Sequence, residues 1–203
     1  MALTCHIQCA IWAIGETQAK FNGFWLKIKT HNYNKTRFGK RLMNYHNITK
    51  EDMLNGDGLR TVLWVAGCNH KCKGCQNPIT WDEKGGLPFD QEAEDELFEA
   101  LRVPSISGIT FSGGDPLFPN NRSEIFRLIK KIKSELPEKT VWLYTGYSWE
   151  DICDLDGIKD IDVLIDGEFV QKLNDNNLHW VGSSNQRVID VKKSTKDNVV
   201  LHE

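Results

Sequence analysis

Three cysteines stand four and then three residues apart in Cys68-Asn69-His70-Lys71-Cys72-Lys73-Gly74-Cys75. Three thiolates at these spacings can wrap a compact loop around one cluster, each sulfur holding one iron of a four-iron cube. The fourth iron would then lack a protein ligand, and an open coordination position separates catalytic metal centres from closed ones. Gly67 and Gly74 let the backbone turn tightly near the sulfurs. Amide hydrogens of such a loop can donate to cluster sulfides and help set the potential. The competing reading is a structural zinc ion with His70 or a distant residue as fourth ligand. Zinc sites usually consist of two closely spaced ligand pairs, and no second Cys/His pair follows in the body of the chain. Cys5-His6 and Cys9 could supply one, although these are most simply incidental thiols.

Further residues with chemical potential sit after short apolar runs. Ser112-Gly113-Gly114-Asp115-Pro116 follows Ile109-Thr110-Phe111. A glycine pair before proline is by itself only a turn signal, and its weight comes from that position. Thr145-Gly146 and Asp166-Gly167 close two more such runs. Asp166 fits a contact to a bound cofactor, and equally a strand-end aspartate that caps a turn. Ser183-Ser184-Asn185-Gln186 fits a partner or cofactor surface, or an ordinary solvated loop. His70 is expected to be exposed, and Cys153 to be a small buried residue on a helix. Trp64 and Trp142 alternate within strands and read as core or wall, which leaves Trp81 as the better shield for the cysteine site.

The elements that must position these residues alternate in kind. Strands are expected over residues 60–66, 109–111, 141–144, 163–165 and 188–191, and a short helix over 49–54 before the Asn55-Gly56-Asp57-Gly58 loop. A helix over 88–101 has Asp90 as N-cap, with Ala93, Leu97 and Leu101 at four-residue steps. A second, over 121–136, carries Ile125, Leu128, Ile129, Ile132 and Leu136 as one apolar stripe and stops at Pro137. Ser148-Trp149-Glu150-Asp151 matches a capping box for a third, short helix. The tail to Glu203 is polar and expected to fray.

Apolar strands alternating with amphipathic helices indicate β-α units and a mainly parallel sheet. The cysteine loop, the Gly-Gly-Asp turn, Thr145-Gly146 and Asp166-Gly167 all lie just beyond the C-terminal ends of strands, where barrels and open parallel sheets place ligands. A full eight-unit barrel takes about 250 residues. The chain from Met43 onward suits only a partial, open (β/α) barrel.

The 203 residues fit one globular unit with an appendage. Lys+Arg 25 against Asp+Glu 28 is nearly even, and no block of like charge points to nucleic acid or an anionic membrane as partner. No apolar run approaches a membrane span and the start lacks the pattern of a signal peptide, so the expected compartment is the cytoplasm, where thiols stay reduced. Residues 1–42 show no sustained period and end strongly basic, and no fold is assigned to them. Met43 reads as a fresh beginning and as an expected native start. The organisation is therefore an N-terminal extension over 1–42 and a functional domain over 43–203.

Cys-x3-Cys-x2-Cys after a first strand, with a Gly-Gly-acidic-Pro turn after the next, resembles the radical S-adenosylmethionine superfamily. Asn55-Gly56-Asp57-Gly58-Leu59-Arg60-Thr61, Gly74-Cys75-Gln76-Asn77-Pro78, Ser112-Gly113-Gly114-Asp115-Pro116-Leu117, Asp162-Val163-Leu164-Ile165-Asp166-Gly167 and Gly182-Ser183-Ser184-Asn185-Gln186-Arg187 narrow it. Together they resemble the glycyl-radical-enzyme activating family, in the branch serving anaerobic ribonucleoside-triphosphate reductase. The resemblance runs from Met43 to about Val191 and implies the radical S-adenosylmethionine fold. It implies a [4Fe-4S] cluster on Cys68, Cys72 and Cys75, with S-adenosylmethionine chelating the open iron. Reductive cleavage to a 5′-deoxyadenosyl radical would then set a glycyl radical on the reductase. Gly74, Cys75 and Gln76 are implied to line the cofactor site, Gly113 and Gly114 to approach its methionine end, and Asp115 to face that turn or the ammonium group. Many superfamily members have an aromatic residue before the third cysteine where this chain has Gly74, which leaves the adenine contact unassigned. Implied partners are the glycyl-radical subunit of the reductase and a low-potential electron donor such as flavodoxin. Activation of another enzyme such as pyruvate formate-lyase is the alternative within the class. A zinc-binding or iron–sulfur electron-carrier module is the alternative outside it.

Overall fold

A computed structural model describes residues 43–203 in full and, before them, the backbone of four short strands. Two compact units are formed, Met1–Asn34 and Lys35–Glu203. In the first, β1 (Thr17–Phe21) and β2 (Phe24–Ile28) pair antiparallel. The second opens with the antiparallel pair β3 (Thr36–Arg37) and β4 (Lys40–Arg41). Cys5 and Cys9 lie outside the described residues.

The larger unit is built on β5 (Asn44–Asp52), β6 (Arg60–Val65), β7 (Leu87–Pro88), β8 (Gly108–Gly113), β9 (Thr140–Tyr144), β10 (Val163–Asp166) and β11 (Arg187–Asp190). They form one seven-stranded sheet in the order β11-β10-β9-β8-β6-β5-β7. β6, β8, β9 and β10 are parallel neighbours. β5 and β7 on one side and β11 on the other run antiparallel. The two outermost strands do not pair, so the sheet is open, with a parallel centre and antiparallel margins.

The central strands read as near-continuous apolar runs because both of their faces are covered. One face packs under α1 (Gln91–Leu101) and α2 (Pro119–Glu135), where Leu97, Leu101, Ile125 and Ile129 meet Leu63, Phe111, Leu143 and Leu164. Truncating one of these leucines costs about 2–5 kcal/mol, a large share of the stability of a domain this size. On the other face Trp142, Val163 and Ile165 form a smaller cluster with Tyr144, Trp180, Val181 and Val188. The helices are thus on one side, and the opposite side is left for a cavity.

Helix ends follow the sequence in part. Asp90 Oδ1 accepts the Ala93 amide at 3.1 Å and caps α1, with Glu92 and Glu94 favourably placed in the first turn. Glu94 is buried, and Arg127 and Lys131 of α2 reach it at 2.6 and 2.7 Å, tying the two helices together. The capping box before α3 (Trp149–Ile152) does not form: Ser148 Oγ bonds Asp151 Oδ2. The Trp149 amide is instead accepted by Asp166 Oδ2 at 2.8 Å, from the end of β10.

Two expectations are corrected. Residues 49–54 are not a helix, because 49–52 complete β5, which pairs with β6. Register shifts between Tyr45 and Asn47 and between Thr49 and Asp52 break the alternation that would have marked a strand. The tail does not fray: Asp190 donates to Val200 O and His202 to Val188 O, both at 2.9 Å, and Leu201 bridges Ile189. Among the described residues no helix is long and apolar enough to cross a membrane.

Candidate cluster and cofactor site

The C-terminal ends of β6, β8, β9 and β10 open on one cavity of about 470 Å³. Cys68, Cys72 and Cys75 line it, with Gln76, Gly113, Gly114 and Asp115. Thr145, Gly146 and Gly167 add the other two strand ends. The convergence read from four separate sequence signals is therefore present in space.

The cysteine loop is shaped locally by backbone. Gly67, at φ 102°, turns the chain out of β6, its amide bonds Thr80 O at 2.8 Å, and the Cys68 amide bonds Trp81 O at 3.2 Å. The 3-10 turn Pro78–Trp81 thus closes the loop from behind. Cys75 donates to Cys72 O at 3.1 Å, and the Asn77 amide points at Cys75 Sγ at 3.3 Å. Burial pushes the Cys68 and Cys72 thiols above their ordinary pKa.

The glycine turn is fitted against that loop. Gly113 has φ 106°, and a Cβ there would stand 2.6 Å from the Val65 amide nitrogen. A Cβ on Gly114 would stand 2.5 Å from Gly67 O. Gly114 donates to Val65 O and Asp115 to Gly67 O, both at 2.8 Å, so the turn is bonded directly to the start of the cysteine loop.

Asp115 is buried and serves the turn. Its Oδ1 accepts the Leu117 amide at 2.7 Å, Oδ2 accepts the Gly146 amide at 3.1 Å, and Thr145 Oγ1 donates to both oxygens at 3.0 Å. His70 completes the set, with Nε2 2.8 Å from Asp115 Oδ2 and Nδ1 2.9 Å from Glu168 Oε1. The expectation of an exposed His70 is corrected: its side chain is 11% exposed, because the ring folds into the rim instead of standing off it. The bond to Asp115 raises the pKa of His70, burial opposes it, and Glu168 adds to the rise.

Two residues expected at the cofactor are not among those that line the cavity. Gly74, at φ 77°, faces the Gln171 side chain, which a Cβ would meet at 2.8 Å. Asp166 is buried under Arg187, whose Nε and Nη2 reach it at 3.1 and 2.5 Å, and its second duty is the cap on α3. Of its two readings, the strand-end cap describes its contacts. Gln186 also braces this region, accepting the Gly182 amide and donating to Gly167 O, both at 2.9 Å. Trp81 contributes its carbonyl to the loop and does not line the cavity. Trp64 does, half-buried, with Tyr144, Phe169 and Trp180. Phe169 and Trp180 carry no motif and come from loops, so no periodicity marks them.

The donor set fits an iron–sulfur cluster. Cys68, Cys72 and Cys75 are free, half-buried thiols on one cavity. Among the described residues no three His, Cys, Asp or Glu side chains are gathered tightly enough to hold a single ion. Three sulfurs on one cavity, one of them receiving an amide hydrogen, suit the thiolate ligation of an iron–sulfur cluster.

The chain matches the family described as a 4Fe-4S single cluster domain over residues 54–189. It is similar to the anaerobic ribonucleoside-triphosphate reductase-activating protein of Enterobacteria phage T4, 47% identical over 146 residues that cover 72% of this chain and 93% of that protein. The protein of the same name from Vibrio cholerae is 43% identical over 148 residues, 71% of this chain and 96% of the relative. That of Escherichia coli K12 is 43% identical over 150 residues, 72% and 97%. With the cysteine loop, the glycine turn and the shared cavity inside the matched region, the chain belongs to the 4Fe-4S single cluster domain family and to the family of anaerobic ribonucleoside-triphosphate reductase-activating proteins.

Proposed function

We propose that this chain activates an anaerobic ribonucleoside-triphosphate reductase as a radical S-adenosylmethionine oxidoreductase, with residues 43–203 as the functional domain and 1–42 as an extension. The observation that carries the reading is the cavity shared by Cys68, Cys72 and Cys75 with the Gly113–Asp115 turn. The three cysteines would hold a [4Fe-4S] cluster, and the remaining space would take S-adenosylmethionine. When bound, these groups supply reductive cleavage of the sulfonium to a 5′-deoxyadenosyl radical, which takes hydrogen from a glycine of the reductase.

The chain's own residues bind, orient and exclude. Gly113 and Gly114 bring bare backbone to the cavity wall, and Asp115 fixes their turn through its four protein donors. Gln76 stands at the cavity beside the last ligand. Trp64, Tyr144, Phe169 and Trp180 offer apolar surface to the nucleoside end and keep water away from it. The open sheet is consistent with a partial (β/α) barrel of the radical S-adenosylmethionine fold, whose missing strands would leave the partner's glycine segment a way in. A low-potential donor such as flavodoxin would supply the electron, and the cytoplasm is the reducing compartment that free thiols require.

The test is anaerobic reconstitution with iron and sulfide, then reduction with S-adenosylmethionine and the reductase. The expected result is 5′-deoxyadenosine together with an organic radical signal on the reductase. A cluster that assembles and is reduced yet yields no 5′-deoxyadenosine would overturn the proposal.

A further inference from the structure

His70 lies between two of the cysteines, and its ring crosses the rim. Through Nε2 it reaches the turn after β8 at Asp115, and through Nδ1 it reaches the segment after β10 at Glu168. The end of β9 is fitted to the same ring, since a Cβ on Gly146 would stand 2.5 Å from His70 Cδ2. Gly146 is not among the residues with a left-handed backbone, so its conformation does not require glycine. Space for the ring does. Tyr147 packs edge-on against His70 at 4.7 Å, and Arg122 in turn lies 5.0 Å over Tyr147. Asp115 cannot follow a shifted ring, because Leu117, Thr145 and Gly146 hold its carboxylate. On the far side the Glu168 backbone is held by Asn185 Nδ2 at 2.8 Å.

We infer that His70 is a positioning residue, which fixes the cysteine loop against the Gly113–Asp115 turn and the 166–168 segment, with Gly146 left bare to admit its ring. The residue type suits the task. Histidine carries two diverging hydrogen-bonding nitrogens on one rigid ring, whereas Asn and Gln donate from a single nitrogen and Lys carries its donors on a flexible stem. What the loop holds rests on the proposed function; the bridge itself does not.

The test uses the full chain as His70→Ala, Gly146→Ala and the double variant. In the metal-free protein, iodoacetamide labelling of Cys68, Cys72 and Cys75, followed peptide by peptide with Cys153 as reference, is expected to be several-fold faster in both single variants. After reconstitution, iron and sulfide should stay near wild type, because all three thiols remain. The change that S-adenosylmethionine causes in the reduced cluster's electron paramagnetic resonance spectrum should require roughly 10- to 100-fold more cofactor. In the His70→Ala background the further change Gly146→Ala should cost nothing more, since the ring that the new methyl group would strike is gone. Strictly additive effects, or wild-type labelling and titration in His70→Ala, would overturn the inference. A wild-type protein whose cluster ignores S-adenosylmethionine would instead overturn the proposed function, and the labelling rates would still decide the role of His70.

Discussion

Asp115 and Asp166 both follow an apolar strand, yet their carboxylates do different things. Asp115 stands in the cavity wall, while Asp166 turns away to Arg187 and the α3 amide. Asp166→Ala leaves a buried amide and part of a guanidinium unpaired and is expected to lower the unfolding free energy by about 2 kcal/mol. Iron content and cofactor response should persist, so loss of the cofactor response at unchanged stability would return Asp166 to the site. The opposite pattern is expected at Gly114, whose backbone is free of positive φ and whose demand is the close approach of Gly67 O and Thr80 O. Gly114→Ala should push the turn away from the start of the cysteine loop and reduce bound iron measured after reconstitution, with helical circular dichroism retained. At this scale the sequence is legible where chemistry and spacing coincide, as at the three cysteines and the glycine pair. Asp166 stays ambiguous in sequence because its partner Arg187 is 21 positions downstream. His70 escapes a local reading because its burial depends on Asp115, 45 positions away, and on the bare Gly146.

Among the elements, strands buried on both faces and helices with one long apolar stripe can be read directly. β5 cannot, because Ile48 is its one buried residue beyond the strand's half-buried and exposed positions. Its 49–54 stretch offers Thr followed by Lys, Glu, Met and Leu, all compatible with helix, and pairing with β6 overrides that preference. The helix ends show the same division between local and distant causes. At α1 the cap is local, and Asp90→Ala is expected to cost about 1 kcal/mol in a denaturant melt. At α3 the sequence pattern points to Ser148, but the amide acceptor comes from β10. Ser148→Ala is therefore expected to change stability by less than about 0.5 kcal/mol. A loss at Ser148 equal to that at Asp90 would show that the side chain caps α3 after all.

For the whole molecule the question is how an open sheet keeps its cavity in shape when its outermost strands do not pair. The C-terminal tail supplies part of the answer. It runs back along β11 through Val200 and His202, and Trp149 Nε1 donates to Thr195 O at 3.0 Å. The His202 ring then packs 5.1 Å from Trp142 and 5.8 Å from Trp180, and its Nε2 lies 2.7 Å from Asp57 Oδ2 in the loop before β6. One margin of the sheet is in this way tied to the start of a central strand. Composition could not show this, since the tail is polar and its anchor is a histidine whose aromatic partners are scattered along the chain. Removing residues 199–203 deletes two backbone hydrogen bonds, worth about 1 kcal/mol each, and aromatic contacts worth about 0.5–1.5 kcal/mol per pair. The shortened chain is expected to unfold at lower denaturant, by about 3–5 kcal/mol on these grounds. Because Trp180 also lines the cavity, the truncated protein should keep its iron but respond to S-adenosylmethionine only at higher concentration. An unchanged melt would show that the tail merely rests on the surface. A lower melt with an unchanged cofactor titration would separate the anchoring of the margin from the shape of the cavity, and would place the control of Trp180 in its own loop and in the Tyr144 hydroxyl that donates to its carbonyl at 2.8 Å.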